Sequence, residues 1–268
     1  MTNILLLRDG NRGILPADSR PARAGKSESS DSDEPRNVFA RFWFGAARLG
    51  KEDDIMARPL LQVALDNKSL PEAFKQLSGG LGDAVDIIEC GTVLILCEGV
   101  RAIRTLRNAY PDKTLVADFK LLSRTFSPII LAEKPDIVTI FSRCPDIEKE
   151  AMYKQACEAG ATAQIELHGD WTWEDIERWR GYGLKSIIYG KPRTDKGPWR
   201  PEAAEPIRRL TDMGWEVTVT GGVTYEDLDV LAGLPIYGII CGGAIRNAAS
   251  PVAEAKRIKA RIAELWPE

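Results

Sequence analysis

Eight short runs rich in β-branched and other apolar residues divide the chain from residue 60 onward, and this repeat limits the fold more than any single motif does. The runs are LLQVALD (60–66), VDIIE (85–89), TLVADFK (114–120), IVTIF (137–141), AQIEL (163–167), SIIYG (186–190), EVTVT (216–220) and YGIIC (237–241). Between them lie longer segments with apolar residues at helical spacing, such as GVRAIRTLRNAY, DIEKEAMYKQACEAG and TWEDIERWRGYG. The run ends fall roughly 20 to 30 residues apart, which suits one strand, one helix and two short loops. Eight such units with near-continuous apolar strands predict a (β/α)8 TIM barrel; an open doubly wound sheet is the alternative.

The chain of 268 residues is 44% hydrophobic and 28% charged, enough for one substantial core. The barrel repeat places a single catalytic domain at 56–268. Residues 1–55 differ from the rest: the polar stretch SESSDSDEP, followed by NVFARFWFGAARLG, reads as a disordered, dispensable extension, with Met56 as a natural start. A net charge of −3 provides no basic surplus for nucleic acid. No apolar run approaches the ~20 residues of a membrane span, and the opening ILLL is interrupted too soon by Arg8 and Asp9 for a signal peptide. The five cysteines, Cys90, Cys97, Cys144, Cys157 and Cys241, show no metal or CxxC spacing, so a reducing, cytoplasmic location is expected.

In a barrel of this kind catalytic groups gather where the strands end. Those ends carry Asp66, Glu89, Asp118 with Lys120, Glu166 with His168, Gly190 with Arg193, Thr220-Gly221-Gly222 and Gly242-Gly243. Acids from four strands meeting at one mouth repel one another by several kcal/mol at an effective dielectric of about 20, so cations are needed. Lys120 and a divalent metal are the candidates. Asp118 and Lys120, two apart on a strand, point to the same side; an ordinary salt bridge is the alternative reading of that pair. Glu89 and Asp118 on adjacent strands offer two hard oxygen ligands suited to Mg²⁺. The paired glycines after the seventh and eighth strands lie where such barrels bind phosphate. Asp66 reads as part of the site, whereas Trp171 and Trp173 read as packing at the start of a helix.

The strings LQVALDN, VDIIECGT, EGVRAIRTLR, ADFK, QIELHGDWTWE, VTVTGG and IRNAASPVAEAKRIKARIAELW together resemble the 3-keto-L-gulonate 6-phosphate decarboxylases of the orotidine 5′-phosphate decarboxylase superfamily, over residues 58–266. The resemblance implies a barrel of the ribulose-phosphate-binding type. It also implies a small phosphorylated sugar acid as substrate, loss of CO₂ to an enediolate held by Mg²⁺, and protonation to L-xylulose 5-phosphate. On matching positions, Glu89 and Asp118 would ligate Mg²⁺, and Lys120 would neutralise the enediolate. Asp66 and Glu166 would position hydroxyls or water, and Arg193 would support proton delivery. Gly221, Gly222, Gly242 and Gly243 would hold the phosphate. A homodimer with active sites at its interface is likewise implied.

Three positions depart from that pattern. Ser123 stands where the family's Asp-x-Lys-x-x-Asp signature has its second aspartate, Gly190 where a histidine is expected, and Gly243 where an arginine is expected. The last is closer to hexulose-6-phosphate synthases, so a related aldolase and a non-catalytic sugar-phosphate-binding barrel stay open beside the decarboxylase. His168, the one histidine of the chain, is expected on the same side as Glu166 and is a candidate to replace the lost histidine as proton donor. A capping or solvent-facing histidine is the alternative.

Overall fold

The computed structural model describes residues 58–191, 194–195 and 197–267, so the proposed extension over 1–55 lies outside the described residues. Eight strands, all parallel to their neighbours, close in sequence order into a barrel. They are β1 (Leu60–Leu65), β2 (Ile87–Cys90), β3 (Thr114–Leu121), β4 (Ile137–Phe141), β5 (Thr162–Glu166), β6 (Ser186–Gly190), β7 (Glu216–Thr220) and β8 (Gly238–Ile240). The expected runs coincide with these strands to within one or two residues, except that β3 has an irregular path. Among the described residues no helix is long and apolar enough to cross a membrane.

Strand alternation sorts the side chains. One set, including Leu61, Val63, Ile88, Leu115, Ile165, Val217 and Ile239, faces the helices and joins the main core. The other set fills the barrel, with Ile87, Val116 and Ile137 in one cluster and Ala64, Ile188 and Ile240 in another. The buried polar residues of the strands belong to this second set. Gln164 Nε2 donates to Ser186 Oγ at 3.0 Å and to Thr218 Oγ1 at 3.1 Å, so those inward polar groups satisfy one another.

The expected alternation of Asp118 and Lys120 needs correction. Ala117 pairs with Val138 and Leu121 with Ile140, so β3 carries two more residues than β4 over that interval. Lys120 takes a left-handed backbone, φ 53°, inside this bulge. Its N–H donates to Thr139 Oγ1 at 2.9 Å, in place of a ladder bond. The two side chains do meet, but through a bulge and not through a regular pleat.

The last helix, Pro251–Leu265, starts with Ser250 accepting from Ala253 N–H and lays Ala255, Ile258 and Ile262 into the core. Trp266 follows, fully buried, with Nε1 donating to the Leu234 carbonyl at 2.8 Å. Trp266→Ala should cost about 3–5 kcal/mol, since it opens a large cavity and leaves that carbonyl unpaired. Urea unfolding should show a lower midpoint; a loss under about 1 kcal/mol would mean that this end of the chain is not part of the cooperative core.

Candidate functional site

A cleft of about 1010 Å³ opens at the C-terminal ends of the strands. Asp66, Glu89, Asp118, Lys120, Glu166 and His168 all line it, as do the glycines 221, 222, 242 and 243. Arg193 lies outside the described residues. Ser123 does not line the cleft of its own chain; its hydroxyl accepts from Thr125 N–H in the turn after β3.

Lys120 is the centre of the charge network. Its Nζ donates to both oxygens of Asp118 at 2.8 Å and lies 2.5 Å from Glu166 Oε2. Burial opposes the ammonium, but the charges and hydrogen bonds of Asp118 and Glu166 outweigh it and hold the Lys120 pKa above its ordinary value. Burial likewise works against the Asp118 carboxylate. The Lys120 charge, with hydrogen bonds from Lys120, Thr92 and Thr139, prevails and keeps its pKa below the ordinary range. Thr92 Oγ1 donates to Oδ2 at 2.7 Å and Thr139 Oγ1 to Oδ1 at 2.8 Å.

Glu89 is the acid left over. It is buried beside Asp118, and its Oε2 accepts from Gln62 Nε2 at 2.6 Å. Burial first, and then the charge of Asp118 with a lesser contribution from Asp66, push its pKa well above the ordinary range, against the opposing hydrogen bond from Gln62 and the charge of Lys120. Among the described residues no group of three or more His, Cys, Asp or Glu side chains is arranged to hold a metal ion. A pair of carboxylates still suits Mg²⁺, which keeps several waters and shares its remaining positions with substrate oxygens. Lys120 spans both Asp118 oxygens, so keeping one of those bonds preserves the ion pair while opening a ligand position. Glu89 and Asp118 are thus the residues that would hold the ion, and its charge would relieve the carboxyl that Lys120 does not serve.

Glu166 links this network to His168. His168 Nε2 lies 2.7 Å from Glu166 Oε1, and its ring sits 5.0 Å from that of Phe141. Helix capping falls instead to Thr172, which forms a capping box with Asp175 at the start of the helix Trp173–Gly181. Trp173 packs there under the Arg209 guanidinium, 3.9 Å away, while Trp171 meets it edge-on at the rim of the cleft.

Opposite the acids, Gly221 and Gly222 take φ of 103° and 73°, and a Cβ on Gly221 would sit 2.8 Å from Lys191 N. Only glycine makes that turn at little cost and keeps its N–H groups open to an anion. Gly190 is closed to a side chain as packed here, because a Cβ would lie 2.9 Å from the Thr220 methyl. The site also contains residues that the sequence reading missed. Gln62 and Thr139 stand as polar residues inside apolar runs, which was the available signal. Arg246, which reaches Asp66 at 3.7 Å from the one-turn helix Gly243–Arg246, gave none.

Residues 59–258 match the model of the orotidine 5′-phosphate decarboxylase / HUMPS family. The 3-keto-L-gulonate-6-phosphate decarboxylase UlaD of Escherichia coli O17:K52:H18 is 41% identical over 217 residues, which is 79% of this chain and 100% of that protein. The crystal structure of 3-keto-L-gulonate-6-phosphate decarboxylase from Vibrio cholerae O1 biovar El Tor superposes with a TM-score of 0.72 at 29% identity, covering 79% of this chain and 100% of that one. For 3-hexulose-6-phosphate synthase from Salmonella typhimurium the values are 0.67 and 27%, over 76% and 99%.

The raised pKa of Glu89 has a consequence for stability. The folded chain holds this proton more tightly than the unfolded chain, so stability falls as pH rises from about the ordinary glutamate value toward the folded pKa. In chelator, Glu89→Gln should therefore have a smaller drop in melting temperature than the unaltered chain between about pH 5 and pH 8. Equal drops would show that Glu89 is not a strained acid.

Proposed function

Because the chain belongs to the orotidine 5′-phosphate decarboxylase / HUMPS family and is a carboxy-lyase, we propose that it decarboxylates 3-keto-L-gulonate 6-phosphate to L-xylulose 5-phosphate with the help of Mg²⁺. The observation that carries this reading is the bridge of Lys120 between Asp118 and Glu166, with Glu89 beside it and the glycine turns across the cleft.

In this reading Gly221, Gly222, Gly242 and Gly243 anchor the phosphate, so binding energy from the remote end of the sugar orients the reacting end. Asp66 and Glu166 position hydroxyls or a water. When bound at Glu89 and Asp118, Mg²⁺ supplies positive charge beside the substrate oxygens. Lys120, already protonated and held between two carboxylates, faces the negative charge that develops as CO₂ leaves, and this preorganised charge is what lowers the barrier. The product then needs a proton at carbon. We assign it to the proton shared by His168 Nε2 and Glu166 Oε1, with Arg193 in support.

A second copy of the chain is the proposed partner. Exposed apolar side chains concentrate on the helix Thr92–Glu98 (Val93, Leu96), the turn after β3 (Leu122, Phe126), the helix Ser127–Leu131 (Ile129) and the start of Asp146–Glu158 (Ile147). Ser123 lies in the midst of this band. Free thiols at all five cysteines suit the reducing cytoplasm.

The direct test is CO₂ release from a panel of keto sugar acid phosphates, with and without chelator. Turnover of 3-keto-L-gulonate 6-phosphate that chelator abolishes is expected. Formaldehyde consumption with ribulose 5-phosphate, without CO₂ release, would replace this reading by an aldolase, the activity to which Gly243 points; ligand binding without either turnover would leave a binding barrel. Within the decarboxylase reading, His168→Asn should lower turnover by about 10²–10⁴-fold and flatten its pH profile. Unchanged turnover and profile would remove His168 from the proton path.

A further inference from the structure

The phosphate end of the cleft contains a cation whose hydrogen bonding is incomplete. Arg246 ends the turn of helix that begins at Gly243, and helical side chains lean back toward the N-terminus of their helix. From residue 246 the guanidinium therefore returns over the preceding turn. Its Nη2 comes to 3.8 Å from the place where a Cβ on Gly242 would sit, and the side chain lines the cleft beside Gly242 and Gly243.

Its partners do not satisfy it. Arg246 Nε is buried and has no hydrogen-bond partner, and the ion pair to Asp66 spans 3.7 Å between Nη2 and Oδ2. A charge-assisted bond of a guanidinium to a carboxylate normally closes to about 2.7–2.9 Å, and a buried donor left unpaired is costly. Asp66 itself is placed tightly. A Cβ on residue 91 would come within 2.4 Å of its Oδ1, so Gly91 leaves just enough room for the carboxylate. The backbone of Arg246 is anchored as well, through its carbonyl, which accepts from Gln76 Nε2 at 3.4 Å. The guanidinium is thus engaged by one long ion pair, and as it lines the cleft it keeps donors available to an anion there.

We propose that Arg246 is the cationic ligand of the substrate phosphate. The forked guanidinium takes two phosphate oxygens, while the N–H groups of the glycine turns take the rest. The charge absent at residue 243 is thereby supplied from one helical turn later. Residue 243 itself has space, since a Cβ there would meet only Asn247 Nδ2, at 3.6 Å. This inference rests on the sugar-phosphate reading of the cleft, but its test needs no turnover.

Binding of inorganic phosphate and of a pentose 5-phosphate to the full chain is measured by titration calorimetry, with thermal melting as a check on folding. Arg246→Gln should weaken both by roughly 10- to 100-fold. Arg246→Lys should recover only part of the loss, because an ammonium lacks the fork. Adding Gly243→Arg to Arg246→Gln should restore binding. Asp66→Asn, which in the pentose phosphate also loses a hydroxyl contact, should leave the affinity for inorganic phosphate intact or raise it, because it removes the competing carboxylate. Unchanged phosphate affinity in Arg246→Gln would overturn the proposal, as would equal losses of inorganic phosphate affinity in Arg246→Gln and Asp66→Asn, which would make Arg246 a positioning residue for Asp66. If the unaltered chain binds phosphate through Arg246 but releases no CO₂, the decarboxylase reading fails and this inference stands.

Discussion

The ammonium of Lys120 is the charge on which the site depends. Four acids, Asp66, Glu89, Asp118 and Glu166, are delivered to one mouth by four strands, and Lys120 neutralises two of them at once. Without it, Asp118 and Glu166 would face each other across a buried gap and at least one would take up a proton. The bulge in β3 exists in register with this need. Two extra residues turn Lys120 into the mouth, and Thr139 closes the broken ladder with its hydroxyl while donating to Asp118. Backbone irregularity, hydrogen bonding and charge balance are therefore one feature.

The same bookkeeping sorts the remaining acids. Glu89 is buried beside the Asp118 charge with a neutral amide, Gln62, donating to it, so burial and that charge make its carboxyl hard to ionise. Asp66 has Arg246 at a distance longer than a hydrogen bond. Glu89 sits where the proposed metal ion would bring positive charge, whereas near Asp66 the proposed phosphate would compete with the carboxylate for Arg246.

The departures from the family pattern also have physical context. Gly190 packs against Thr220 so closely that a side chain is excluded, and His168 on the neighbouring strand end faces the same cleft from beside Glu166. Gly243 has room for a side chain, and Arg246 reaches the same region from one turn further on. Ser123 lies away from its own cleft, amid exposed apolar side chains.

Much of this was legible in the chain itself. Strand runs, their parallel order and the inward direction of Glu89, Asp118 and Glu166 follow from hydrophobic periodicity, because alternation along a strand is a local property and eight repeats of it leave few ways to bury the apolar faces. The strings around those runs also carried the family. Periodicity misjudged how Asp118 meets Lys120, since a bulge is decided by what the adjacent strand offers, here the Thr139 hydroxyl. It was silent on Arg246, whose approach to Asp66 joins the two ends of the barrel across 180 residues of chain through the closure of β1 against β8. Which acids are charged was likewise a tertiary decision: Asp118 and Glu89 look alike as strand-end carboxylates, but folding places Lys120 with two threonine hydroxyls on Asp118, while it buries Glu89 beside the Asp118 charge with no cation of its own in contact among the described residues, and their proton affinities move in opposite directions.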